Sequence, residues 1–128
     1  LLNGHPRGRG IEDGDFKLVE AVLPDPGPGE MLLATRYLSF DPAQKGWMEN
    51  IADYVAPMAI GDVMRGSGIA EVIESNGGRF QKGDLVFGTT GWTEHLVTDG
   101  RDLTKVETEL SPTAVLSVLG TTGVTAYC

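Results

Sequence analysis

Gly68-Ile69-Ala70-Glu71-Val72-Ile73-Glu74-Ser75-Asn76-Gly77-Gly78 is the stretch that decides the architecture. Residues 68–74 form a strong strand, and Asn76-Gly77-Gly78 supplies the turn that closes it. Lys82-Gly83-Asp84 is a second turn, and Leu85-Val86-Phe87-Gly88 behind it reads as a short buried strand. Two strands separated by tight turns set a β-rich pattern, and the flanking sequence extends it in both directions.

Upstream, strands are predicted over 16–23 and 30–40, divided by Pro24-Asp25-Pro26-Gly27-Pro28-Gly29, where three prolines cannot donate a continuous hydrogen-bond ladder. The strand over 30–40 carries Met31, Leu33 and Tyr37 on one face and Leu32, Leu38 and Phe40 on the other, which predicts an internal position. Asp41-Pro42 ends it, and residues 43–54 read as a short helical turn or loop with Trp47, Met48 and Ile51 at roughly helical spacing. Downstream, short strands are expected over 94–97 and 103–106, the latter as an edge. Ser111-Pro112 looks like a helix N-cap followed by proline at the first helical position, opening a final helix. Residues 3–15 are polar and glycine-rich, the composition of a surface lead-in in which Arg7 and Arg9 gain nothing from burial.

Composition agrees with a single β-rich domain. Eighteen glycines in 128 residues are about twice the usual share of roughly 7%, a bias toward tight turns and away from helical bundles. The net charge of −8 would repel phosphate backbones and anionic membrane surfaces, so nucleic acid is not an expected partner. No stretch approaches the roughly 20 apolar residues that cross a bilayer, so no membrane partner is expected either. The only cysteine, Cys128, builds neither a disulfide framework nor a Cys-rich zinc site, which fits a reducing, cytoplasmic setting.

Five segments in order carry a resemblance: Tyr37 to Pro42, Val63 to Ser75, Lys82 to Val86, Gly91-Trp92 and Leu119 to Tyr127. Together they resemble successive motifs of the zinc-free prostaglandin reductase and alkenal double-bond reductase branch of the medium-chain dehydrogenase/reductase superfamily. The resemblance implies a GroES-like, partly open β-barrel of mainly β structure with short helices over residues 1–128. It also implies that the helix at the end of the chain leads into a nucleotide-binding Rossmann domain absent from this sequence, whose glycine-rich phosphate turn would hold NADPH. The implied activity is hydride transfer to the C=C bond of an α,β-unsaturated ketone or aldehyde, in a protein compatible with a homodimer. The other readings are a quinone oxidoreductase or zinc-type alcohol dehydrogenase relative, and a non-catalytic stand-alone GroES-like binding module.

Zinc members of the superfamily carry a cysteine and a Gly-His-Glu triplet where this chain has residues 39–42 and 65–67, so the usual thiolate and imidazole ligands are lacking. His5 and His95 lie far apart in sequence and read as structural or incidental. By position, the resemblance makes Tyr54 the hydrogen-bond donor to a developing enolate oxygen, although a surface-loop tyrosine reads equally well from sequence. Asp41, Trp47, Met48 and Trp92 are the substrate-contact candidates, against core packing for the apolar three. Thr122, Gly123 and Thr125 match the interdomain cleft near the nicotinamide, where small residues allow close approach; tight helix packing is the alternative. Ala43 stands where the branch usually has a tyrosine, which should widen the pocket mouth and remove a polar anchor.

Overall fold

The computed structural model describes residues 1–52 and 54–128. It contains a five-stranded sheet in the order β4-β1-β2-β3-β5, with every neighbouring pair antiparallel. The strands are β1 (Met31–Leu38), β2 (Ser67–Ser75), β3 (Leu85–Thr89), β4 (His95–Thr98) and β5 (Thr104–Lys105). The α-helices among the described residues are α1 (Ala43–Glu49) and α2 (Thr121–Tyr127). Among the described residues the sheet does not close on itself: the edges β4 and β5 pair only with β1 and β3. This is the GroES-like architecture in its open form. No helix is long and apolar enough to cross a membrane among the described residues.

The turns read from the sequence work as expected. β2 and β3 pair with Ser67 opposite Thr89 and Glu71 opposite Leu85, and β1 is internal, held by β2 on one side and β4 on the other. Two register shifts interrupt the β1–β2 pairing, between Leu32 and Leu33 and between Thr35 and Tyr37. After the second shift Tyr37 leaves the core face it would otherwise share with Met31 and Leu33, and it is exposed. One core cluster joins Met31 and Leu33 of β1 with Ala70 and Val72 of β2, Val86 of β3, Phe80 and Leu103. A second, built from Leu2, Met48, Met58 and Met64, lies under the partly buried Phe16, Trp47 and Trp92.

Three expectations are corrected. Residues 16–23 do not form a strand: their only ladder contact is an isolated bridge between Leu2 and Phe16, extended by Lys17 bonding Leu1. Beyond that point Leu18 and Val22 are almost fully exposed, because no neighbouring strand is there to make apolar alternation useful. The final helix does not run continuously from Pro112. A 3-10 helix spans Pro112–Leu116, the chain breaks at Ser117, and α2 starts after Gly120. Arg7 and Arg9 are not idle surface charges. Arg9 makes a two-pronged ion pair with Asp15, at 2.5 and 2.8 Å, and Arg7 Nε donates to the Glu49 carbonyl at 3.0 Å. Together they dock the lead-in on the second core, with Asp15 buried beneath.

Candidate functional site

The turn after β1 builds the first part of the site. Asp41 sits two residues before α1, and its Oδ1 accepts from the Ala43 N–H at 2.7 Å while its own N–H donates to Gln44 Oε1 at 3.1 Å. This reciprocal arrangement starts α1 as a capping box does. Gln44 is buried and spends its amide nitrogen on the Ser39 carbonyl at 3.1 Å and the Arg65 carbonyl at 3.4 Å. One side chain thereby ties the end of β1 to the segment entering β2. Gly66 is glycine for a reason visible here: a Cβ would stand 3.0 Å from both Gln44 Nε2 and Trp92 Nε1.

α1 ends at Asn50, which adopts a left-handed conformation with φ 55°. Its side chain holds Met58 at both backbone groups, donating to the carbonyl at 2.9 Å and accepting from the N–H at 2.7 Å. Arg65 adds a second clasp, donating to the carbonyls of Ala56 and Pro57 at 2.5 and 3.5 Å. The segment between Asn50 and Met58 is therefore pinned at its base, and it carries Tyr54 outward, 70% exposed. The neighbouring Asp53 lies outside the described residues. Trp47 Nε1 donates to Tyr54 Oη at 3.1 Å.

Trp92 follows Gly91, whose positive φ of 63° turns the chain over the second core. The indole lies 5.0 Å from the Phe16 ring and 5.4 Å, edge-on, from Phe40, between ring centres. Phe40 is 75% exposed, so this aromatic group continues to the surface. Trp47 and Trp92 pack against the same methionine cluster, which places both indoles at one end of the molecule. Met48 belongs to that cluster itself. Its side chain is 1% exposed and offers a ligand no surface; its packing is the core role that helical spacing also allowed.

Thr122, Gly123 and Thr125 all lie on α2. A Cβ on Gly123 would overlap the Val118 carbonyl, so glycine lets the helix start fold back on the preceding turn. The Thr125 hydroxyl donates to the Thr121 carbonyl at 2.8 Å, which leaves its oxygen able to accept. An open groove of about 490 Å³ separates α2 from the sheet, lined by Phe87, Thr104, Leu119, Val124 and Thr125 among others. The structure thus brings Trp47 and Tyr54 into hydrogen-bond contact, with Trp92 over the same core and Asp41 at the start of α1, and of the three α2 residues it places Thr125 on the groove.

His5 Nδ1 donates to the Met48 carbonyl at 2.6 Å, and His95 is exposed at the start of β4. Among the described residues no three His, Cys, Asp or Glu side chains converge as metal ligands. Sequence reasoning passed over Gln44, Asn50 and Arg65. The Asp41-x-x-Gln44 spacing and an asparagine just past a helical run are capping signals that point to the first two. Arg65 reaches partners that no local pattern reveals.

Comparison with known proteins gives consistent matches. A family described as the N-terminal domain of oxidoreductase matches residues 1–106. The NADPH-dependent curcumin reductase of Escherichia coli (strain K12) is 39% identical over 128 residues, covering 99% of this chain and 37% of that protein. The NADP(+)-dependent 2-alkenal reductase of Nicotiana tabacum is 36% identical over 130 residues, covering 98% and 37%. Among solved structures, CurA from Vibrio vulnificus in complex with NADPH superposes with a TM-score of 0.87 at 34% identity, covering 98% of this chain and 37% of that one. The chain spans little more than a third of the length of these relatives.

Proposed function

The chain belongs to the N-terminal domains of medium-chain dehydrogenase/reductase oxidoreductases, in the branch of the prostaglandin and alkenal reductases, and from that membership we propose that it is the substrate-side domain of an NADPH-dependent reductase. The reaction is reduction of the C=C bond of an α,β-unsaturated ketone or aldehyde. The partner domain, which holds the cofactor's phosphates, is a nucleotide-binding domain, as the length of the relatives suggests. The observation that carries the reading is Tyr54: a phenol presented at the surface on a segment clasped at its base, beside an indole that bonds its oxygen.

The residues fit one end of the cofactor. The groove between α2 and the sheet is open and largely apolar, with the Thr125 oxygen on its wall, which suits a flat carboxamide-bearing ring; nothing in the chain supplies a glycine-rich phosphate turn. Bound NADPH supplies the hydride that adds to the β-carbon of the substrate. Tyr54 then acts on the other end of the conjugated system, donating its hydroxyl hydrogen to the carbonyl oxygen as that atom gains charge. The α-carbon takes its proton from water, so the oxygen needs only a donor and not an acid. Trp92 and Phe40 give an apolar substrate a wall to lie against, and Asp41 shapes that wall by starting α1. Ala43, where the branch usually has a tyrosine, widens the mouth of the site and removes one polar anchor for substrate. We further propose that the enzyme works without zinc, on a donor set that offers no group of three ligands among the described residues, and in the cytoplasm.

Tyr54→Phe in the complete protein tests the role of the phenol, because the ring stays and only the hydroxyl goes. The kcat for an enone should fall by about 10-fold to 10³-fold with the KM for NADPH unchanged. An unaltered kcat across small enones and alkenals would remove Tyr54 from the reaction.

A further inference from the structure

We propose that Trp47 is a positioning residue for Tyr54, orienting the hydroxyl by occupying its oxygen; this rests on the reading of Tyr54 as the donor to substrate. An indole N–H can only donate, so the 3.1 Å contact has one sense: Trp47 gives its hydrogen and Tyr54 Oη accepts it. With that lone pair taken, the phenolic hydrogen points away from the indole, toward the side from which a substrate oxygen would approach. A hydroxyl that accepts one hydrogen bond also donates a stronger one, since the two bonds polarise each other.

Tyr54 is exposed and lies on an irregular segment, where a phenol would ordinarily sample several orientations. Trp47 lies on α1, a regular element whose next residue, Met48, is fully buried, and it packs against the second core. The donor is therefore fixed by the core, and the loop residue is referred to it. The other tryptophan gives a contrast: Trp92 Nε1 is buried with no hydrogen-bond partner among the described residues, so its indole acts as an apolar surface only.

Kinetics and a spectroscopic signature of the complete protein test this together. Trp47→Phe should lower kcat for an enone by about 3-fold to 10-fold, leave the KM for NADPH in place, and cost nothing further when added to Tyr54→Phe. In ¹H–¹⁵N spectra the Trp47 indole signal, assigned by through-bond and through-space correlations in the native protein, should move upfield in Tyr54→Phe. That second measurement removes only an exposed hydroxyl and so remains decisive if Trp47→Phe folds poorly. An indole signal that does not move, or equal losses from Trp47→Phe with and without the Tyr54 hydroxyl, would overturn the proposal. A loss on Tyr54→Phe but none on Trp47→Phe would overturn it while leaving Tyr54 its role; no loss on Tyr54→Phe would overturn the donor reading itself.

Discussion

Asp15 shows how much a single residue can depend on partners that its neighbours in sequence do not reveal. Its carboxylate is buried, yet the Arg9 guanidinium bonds both oxygens and the Glu12 N–H donates at 2.9 Å. The Arg9 hydrogen bonds, then the Glu12 N–H, outweigh burial and hold the carboxyl down to about 2, well below the usual aspartate range. Because the folded-state value is depressed, the charged form stabilises the fold at neutral pH. That contribution is lost as pH falls from about 4, the unfolded value, toward 2. Asp15→Asn should therefore be less stable than the native chain at pH 7, with the gap closing as pH falls through this window. Urea titrations at stepped pH would show it; a gap independent of pH would mean that the ion pair contributes only shape. The same dependence on distant partners explains the site residues. Tyr54 is a candidate by position alone, whereas the clasps made by Asn50, Arg65 and Gln44 rest on groups eight or more residues away or on caps easily passed over.

At the scale of elements, sequence reading recovered β1 after the Pro-Gly segment, β2 before Asn76-Gly77 and β3 after Lys82-Gly83-Asp84, all bounded by turn chemistry, and also β4 and β5, expected over 94–97 and 103–106. Residues 16–23 have the composition of a strand and are not one, because pairing is a property of two segments and the backbone of this one pairs only with Leu1 and Leu2. The break at Ser117 was likewise hidden inside an apolar run that reads as helical throughout. Energetics should separate the two kinds of apolar residue. Leu33→Ala, in the centre of the main core, should cost about 2–5 kcal/mol, while Leu18→Ala, 94% exposed, should stay within about 0.5 kcal/mol of the native chain. Denaturant midpoints measure both. A Leu18 cost comparable to that of Leu33 would place residues 16–23 in a packed strand after all.

For the whole molecule, the five ordered motifs were enough to indicate the GroES-like sheet, and the superposition on CurA agrees over 98% of the chain. Chemistry was less legible, since the chain spans little more than a third of the length of its relatives and the roles proposed for its residues concern only the substrate and the nicotinamide end of the cofactor. The central claim is that hydride reaches a carbon–carbon double bond. It is tested most directly by supplying the complete protein with an enone and NADPH deuterated at the transferring position, then locating the label by NMR. The account predicts a saturated ketone with deuterium on the β-carbon. Deuterium on the carbinol carbon of an unsaturated alcohol, the outcome of carbonyl reduction, would contradict it.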